Sequence, residues 1–231
     1  MAKEKITVLS GAGVSAESGI KTFRDAGGLW EGHDLMSVAS PAGWAKNPHL
    51  VLDFYNQRRR QLKEVAPNAA HYAIKQLEEA YEVVVVTQNV DDLHERAGST
   101  KVIHLHGELR KVRSTGKPDL VYQWEEDCVW GDTCEEGHQL RPHIVWFGED
   151  VPAIHDAARE VSDAHHLIII GTSMQVYPAA GLVSFAAPDA KIYYIDPKPS
   201  INYELSRLSN LEVIAKPATV GMQELVKRLL P

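Results

Sequence analysis

The feature that most constrains this chain is a set of six short, continuous apolar runs, at residues 6–9, 83–86, 102–105, 167–170, 192–195 and 211–214. A run without polar alternation is a strand buried on both faces, and such strands belong to parallel sheets covered by helices on each side. Helical spacing appears between them. In 68–80 the apolar positions are Ala70, Ala73, Ile74 and Leu77, and 153–164 and 220–230 behave alike. The expected fold class is α/β, a parallel sheet with helices on both faces. Two regions break the rhythm: 22–65 is mostly helical in pattern, and 110–141 is polar, without periodicity, and holds both cysteines. They are expected to form a small inserted module beside the sheet, held by packing of Val121, Trp124, Val129 and Trp130.

A length of 231 residues suits one domain spanning 1–231 with such an insertion. The net charge of −7 argues against a nucleic-acid partner, which calls for a basic face. The one dense basic run, Arg58-Arg59-Arg60, is by itself a solvated helix face. The apolar runs are strand-sized, so no membrane span is expected. The first residues lead straight into a strand with no room for a signal peptide, and Cys128 and Cys134 are the only cysteines. A disulfide scaffold is not expected, and the expected compartment is the cytoplasm.

The strand ends carry the chemistry. Residues 6–9 run into Ser10-Gly11-Ala12-Gly13, 83–86 into Thr87-Gln88-Asn89-Val90-Asp91, 102–105 into His106-Gly107, 167–170 into Gly171-Thr172-Ser173, and 192–195 into Asp196-Pro197. In an open parallel sheet, ligands bind outside the carboxyl ends of the strands, so five such ends describe a nucleotide cleft. Gly11-Ala12-Gly13-Val14-Ser15-Ala16 follows a strand and opens a helix, a place where backbone N–H groups meet a pyrophosphate. It departs from the dehydrogenase fingerprint: Ala16 stands for the third glycine, and no acid closes a second strand about 20 residues on.

The continuation is more specific. Residues 11–30 read GAGVSAESGIKTFRDAGGLW, 87–98 TQNVDDLHERAG, 104–108 HLHGE, 141–149 RPHIVWFGE and 171–179 GTSMQVYPA. This set, in this order, resembles the sirtuin (Sir2) family, most closely its bacterial class III, over nearly the whole chain. The resemblance implies a Rossmann-like core, here 1–21, 66–109 and 142–231, with a small module from 22–65 and 110–141. It implies an NAD-consuming protein-lysine deacylase releasing nicotinamide and O-acyl-ADP-ribose, with acylated lysine side chains of proteins as partners.

By the same resemblance His106 is the catalytic base, and Asn89 belongs with it. An imidazole, with an ordinary pKa of about 6.5, suits that task, and Gly107 leaves room for a ribose. His104 reads as a structural histidine. Cofactor contacts are implied for Gly11, Ala12, Gly13, Ser15, Glu17, Phe23, Arg24, Trp30, Gln88, Asn89, Val90, Asp91, Gly171, Thr172, Ser173, Asp196, Pro197, Lys198 and Ala218. Asp91 can also cap the helix that begins near Leu93. Phe23 and Arg24 fall in the mobile cofactor loop, freed by Gly27 and Gly28; Phe23 screens the reacting ribose. The Asp196 carboxylate accepts from an adenosine ribose and repels a 2′-phosphate, favouring NAD over NADP.

Tyr55 and Arg58 share a helix face and resemble the class III pair that recognises succinyl- or malonyl-lysine; acetyl-lysine fits the same pocket. The substrate peptide is expected to add as a strand between 145–149 and 171–176, and Trp146 and Phe147 suit core packing at least as well as substrate contact. The family's structural zinc is expected to be missing. Ser114 stands for the first cysteine, and Cys128, Cys134 and His138 have no recognised ligand spacing. A mono-ADP-ribosyltransferase or NAD hydrolase breaks the same glycosidic bond and is the competing activity.

Overall fold

The computed structural model describes residues 3–21, 29, 30 and 32–230. The elements run β1 (Lys5–Ser10), α1 (Gly13–Ala16), β2 (Leu29–Trp30), β3 (His33–Asp34), α2 (Leu35–Val38), α3 (Pro41–Lys46), α4 (Pro48–Leu62), α5 (Ala69–Gln76), β4 (Glu82–Thr87), α6 (Leu93–Arg96), β5 (Val102–His104), β6 (Gly107–Ser114), β7 (Val121–Gln123), β8 (Leu140–Ile144), α7 (Ile154–Ser162), β9 (His166–Ile170), β10 (Lys191–Ile195), α8 (Tyr203–Ser206), β11 (Leu211–Ile214) and α9 (Ala218–Leu229).

The six apolar runs form one sheet in the order β11-β10-β9-β1-β4-β5, and every neighbouring pair is parallel. Their lack of alternation is explained by two cores. Ile6, Val8, Val83, Val85, Ile168 and Ile170 face Ile74 of α5 and Met222 and Leu225 of α9. Their neighbours Leu9, Val84, Val86, Leu167 and Ile169 face Ala157 and Val161 of α7 and the 3-10 turn Ala179–Phe185. Each such side chain contributes about 1.5–3 kcal/mol by leaving water. The winding reverses between β1 and β9, which places the switch point of the sheet, and the crevice it opens, at the ends of those two strands.

Beside this sheet, β7-β6-β8 form a three-stranded antiparallel sheet against α2–α4. The 110–141 region therefore contains strands that its sequence pattern hides. In β6 the sequence GELRKVRS buries Leu109 and Val112, three apart, because the register shifts between Gly107 and Val112 and breaks the period of two. Helix α4 starts at Pro48, with the Asn47 side chain accepting from the Leu50 N–H, and buries Val51, Leu52, Phe54, Tyr55 and Leu62.

The expected packing of the module needs correction. Val121, Val129 and Trp130 are exposed; the core consists of Leu52, Val112, Cys128, Cys134 and Leu140, flanked by Trp44, Tyr122 and Trp124. Arg59 is also not the solvated charge its run suggests. It is 2% exposed, donates from Nε to the Leu109 carbonyl at 2.8 Å and from a terminal nitrogen to Asn56 Oδ1 at 2.7 Å. Asn56 in turn accepts from the Cys128 N–H and donates to the Cys128 carbonyl, both at 2.9 Å. Among the described residues no three His, Cys, Asp or Glu side chains gather as metal ligands, and no helix is long and apolar enough to cross a membrane.

Candidate active site

The carboxyl edge of the large sheet collects loops from β1, β4, β5, β9 and β10. The β1 and β9 loops touch backbone to backbone. Gly11 N–H donates to the Ile170 carbonyl at 3.1 Å and Gly13 N–H to the Gly171 carbonyl at 2.7 Å. A Cβ on Gly13 would lie 2.7 Å from Gly171 Cα, and one on Gly11 2.8 Å from Thr172 Cβ. The glycines are thus required first by the contact between two loops. Gly171 has a φ of +61° and meets Val14 in the same contact. Val14 and Ser15 N–H groups close onto the Gly11 and Ala12 carbonyls, so these amides are spent within the turn.

Next to this contact, a chain of hydrogen bonds orders the β4 loop. Ser15 Oγ donates to Asp91 Oδ2 at 3.0 Å and accepts from Asn89 Nδ2 at 3.0 Å, which fixes which end of the Asn89 amide faces Ser15. Asp91 Oδ1 accepts from the Leu93 N–H at 3.2 Å, so Asp91 supports the start of α6 as well as the site. Burial raises the Asp91 pKa to about 6, held back by its hydrogen bonds from Leu93 and Ser15 and by the charge of His104. Gln88 Nε2 donates to Thr172 Oγ1 at 3.1 Å, bridging the β4 and β9 loops, and the Tyr194 hydroxyl holds the Thr172 carbonyl. Below lie Ser10 and Thr87, hydroxyl to hydroxyl at 2.8 Å, with His94 Nε2 at 2.9 Å from Ser10 Oγ.

His106 follows β5. Its Nδ1 lies 3.1 Å from the Gln88 carbonyl, and a carbonyl only accepts, so Nδ1 carries the proton and Nε2 keeps its lone pair. Burial pushes the pKa of His106 below its ordinary value, with the Gln88 hydrogen bond opposing, so the ring is neutral at pH 7. Gly107 beside it has a φ of +83°, and a Cβ there would sit 2.0 Å from the His143 carbonyl; the pairing of β6 with β8, rather than space for a ribose, accounts for this glycine.

The remaining candidates are dispersed around this edge. Asp196 is buried at the end of β10 and accepts from the Lys198 N–H at 2.8 Å, while Pro197 and Lys198 are less enclosed. Ser173 is half-buried in the β9 loop. Val90 packs with the Tyr55 cluster, and its carbonyl takes the Leu109 N–H at 2.8 Å. Glu17 accepts from the N–H and hydroxyl of Thr219, tying α1 to the start of α9, and the Ala218 methyl lies in the core, leaving only its backbone to meet a ligand. Phe23, Arg24, Gly27 and Gly28 lie outside the described residues, and Trp30 is described only as a strand residue pairing with His33.

Tyr55 is fully buried, its hydroxyl accepting from Trp146 Nε1 at 3.1 Å, and Arg58 lies over the Phe54 ring at 5.3 Å. Trp146 is core, with the Arg141 guanidinium stacked 3.5 Å from its ring centroid; Phe147 is exposed. Glu149, whose role its sequence block does not reveal, accepts from both terminal nitrogens of Arg141, from Arg113 and from the Trp146 N–H, fastening the turn that follows β8.

The Sir2 family model matches residues 11–178, nearly three-quarters of the chain. The chain belongs to the Sir2 family. This sirtuin is 60% identical over 227 residues to an NAD-dependent protein deacylase of Helicobacter pylori (strain J99), with 98% of this chain and 96% of that one covered. It is 49% identical to an NAD-dependent protein deacylase of Bacteroides thetaiotaomicron, with 99% of each covered. Among solved structures, a Sir2 homologue in complex with NAD superposes with a TM-score of 0.87 at 39% identity, covering 98% of this sirtuin and 90% of that chain.

Proposed function

We propose that this sirtuin is an NAD-dependent protein-lysine deacylase with His106 as its general base. The observation that carries the reading is the tautomer of His106: a neutral imidazole with Nδ1–H anchored on Gln88 and a basic Nε2, at the edge where the cofactor loops meet. The names of its relatives and the NAD held by the matching homologue support it.

The donor set fits NAD. The Asn89 amide and the Asp91 carboxylate, ordered by Ser15, suit a carboxamide and a ribose; Thr172 and Ser173 suit phosphate and ribose oxygens, beside a Gly11–Ser15 turn whose Gly11, Gly13, Val14 and Ser15 N–H groups are spent within the protein; Asp196 suits the adenosine ribose. When bound, NAD supplies the ribose carbon that loses nicotinamide and the hydroxyls that receive the acyl group. His106 Nε2 takes the proton from a ribose hydroxyl, and its Nδ1 stays on Gln88 throughout. Burial keeps the ring from protonating prematurely, and such a base contributes roughly 10²–10⁴-fold in rate.

Tyr55 and Arg58 form the acyl-recognition pair in this proposal. Trp146 holds the Tyr55 hydroxyl by donating to it, and Arg58, three residues on along the same helix, supplies the cation that a succinyl or malonyl group needs. The Asp196 carboxylate gives the preference for NAD; comparable binding of NADP in calorimetry would contradict that assignment.

Incubation with NAD and matched acetyl- and succinyl-lysine peptides, with products identified by mass, tests the function. Free lysine, nicotinamide and O-acyl-ADP-ribose are expected from both. ADP-ribose attached to protein, or nicotinamide release with the acyl-lysine untouched, would instead favour the transferase or hydrolase activity.

A further inference from the structure

His104 lies two residues before His106, and both rings use the same anchor. His104 Nδ1 is 3.0 Å from the Asn89 carbonyl, as His106 Nδ1 is 3.1 Å from the Gln88 carbonyl. With the Val90 carbonyl taking the Leu109 N–H, three consecutive carbonyls of the β4 loop are tied to the segment 104–109. The rings differ at Nε2. That of His104 meets Glu95 Oε1 at 2.6 Å. A carbonyl and a carboxylate only accept, so both nitrogens of His104 carry protons and the ring is an imidazolium.

The surroundings suit a fixed cation. The side chain is 8% exposed, on a cavity of about 90 Å³ behind the β4 loop, lined among others by Asp91, Asp92, Glu95, Glu108 and Arg110. From the β4 loop it faces Asp91 and Asp92, from α6 His94 and Glu95, and from β6 Glu108 and Arg110, with Arg110 paired to Asp92. Burial disfavours the charged ring, but the hydrogen bond and charge of Glu95 more than offset it, so the pKa of His104 is raised.

We propose that His104 is a positioning residue for the deacylation reaction, a charged clamp between Glu95 and the Asn89 peptide that holds the Gln88–Asp91 loop in the geometry His106 and Asn89 need. The inference rests on the deacylase reading. Two neighbouring imidazoles thereby take opposite protonation states, His106 kept neutral by burial and His104 charged by the carboxylate that faces its second nitrogen. When His104 loses its proton as pH rises, a lone pair turns toward Asn89 or Glu95, the clamp opens, and turnover falls. The alkaline limb of kcat/KM belongs to His104.

The test combines imidazole ¹⁵N spectra with pH–rate profiles for wild type, Glu95→Gln and His104→Asn. The amide introduced by Glu95→Gln would still accept from Nε2 but carries no charge, and the amide introduced by His104→Asn would keep an N–H near the Nδ1 position without titrating. Expected are a doubly protonated His104 at pH 7 in the wild type, a His104 titration and an alkaline limb both lowered by about one pH unit or more in E95Q, and no alkaline limb in H104N. Loss of the clamp in H104A is expected to lower kcat by up to about 100-fold, as misplacement of a catalytic group does. A neutral His104 at pH 7, or superimposable pH profiles across the variants of an active enzyme, would overturn the proposal alone. A wild type with a charged His104 and no deacylase activity would overturn both it and the deacylase reading.

Discussion

In the proposed reaction one hydrogen bond at His106 decides the chemistry: a proton fixed on Nδ1 by Gln88 leaves Nε2 to act as the base, whereas a proton on Nε2 would have made it a donor. Because burial depresses the pKa of His106, the acid limb of kcat/KM should lie below the ordinary histidine value of about 6.5, activity falling as pH drops through the depressed pKa. A limb at or above about 6.5 in stopped assays would contradict this. Arg58→Met should lose desuccinylation by on the order of 10-fold or more beyond any loss of deacetylation, since a charge-assisted bond is worth about 1.5–3 kcal/mol. Equal losses in kcat/KM on matched peptides would remove Arg58 from carboxylate recognition. His106 stands out in the sequence through its place after a strand and before Gly107. The charge on His104 does not, because Glu95 reaches that ring only through the fold.

Among the elements, α4 matters beyond the acyl recognition proposed for Tyr55 and Arg58. Its buried Arg59 and Asn56 join it to β6 and to the Cys128 segment by a continuous set of hydrogen bonds. Sequence reading hides this role, since a run of three arginines resembles a solvated face whichever one points inward. Arg59→Ala takes the buried donor from the Leu109 carbonyl and leaves the Asn56 oxygen with the Cys128 N–H alone, and should cost about 3 kcal/mol in urea unfolding. Arg60→Ala, which removes only an exposed pair with Asp127, should cost under about 1 kcal/mol. Equal effects of the two would show that the staple does not hold the module. The antiparallel strands of the module were illegible for a related reason: a register shift and alternate charged residues erase the periodicity that makes β1, β4 and β9 plain.

For the whole molecule, the parallel sheet was legible because both of its faces are dry, and the edge proposed to bind NAD stands out because polar residues gather at one end of every inner strand. The purpose of the glycines was not, since their steric partners come from loops distant in the chain, Gly11 and Gly13 meeting Gly171 and Thr172. The same burial makes the fold sensitive to acid. Burial lowers the pKa of His71 to about 4, and that of His94 well below its ordinary value, beneath the cofactor loops. His143 is also lowered to about 4, by burial first and then by Arg113. Since the unfolded chain takes these protons near pH 6.5, stability is full above that pH and is lost as pH falls toward about 4, partly offset by His104, whose raised pKa acts in the opposite direction. His71 alone accounts for roughly 3 kcal/mol across that window, and urea midpoints should fall between about pH 7 and about pH 5. An unchanged midpoint would contradict the buried neutral pair. The sheet, its loops and its module together exist, in this account, to present one basic nitrogen to the ribose of NAD. The most direct measurement is single-turnover deacylation by His106→Ala at saturating NAD. The account predicts a loss of roughly 10²–10⁴-fold in lysine formation with NAD binding retained, whereas turnover near the wild-type rate would contradict it.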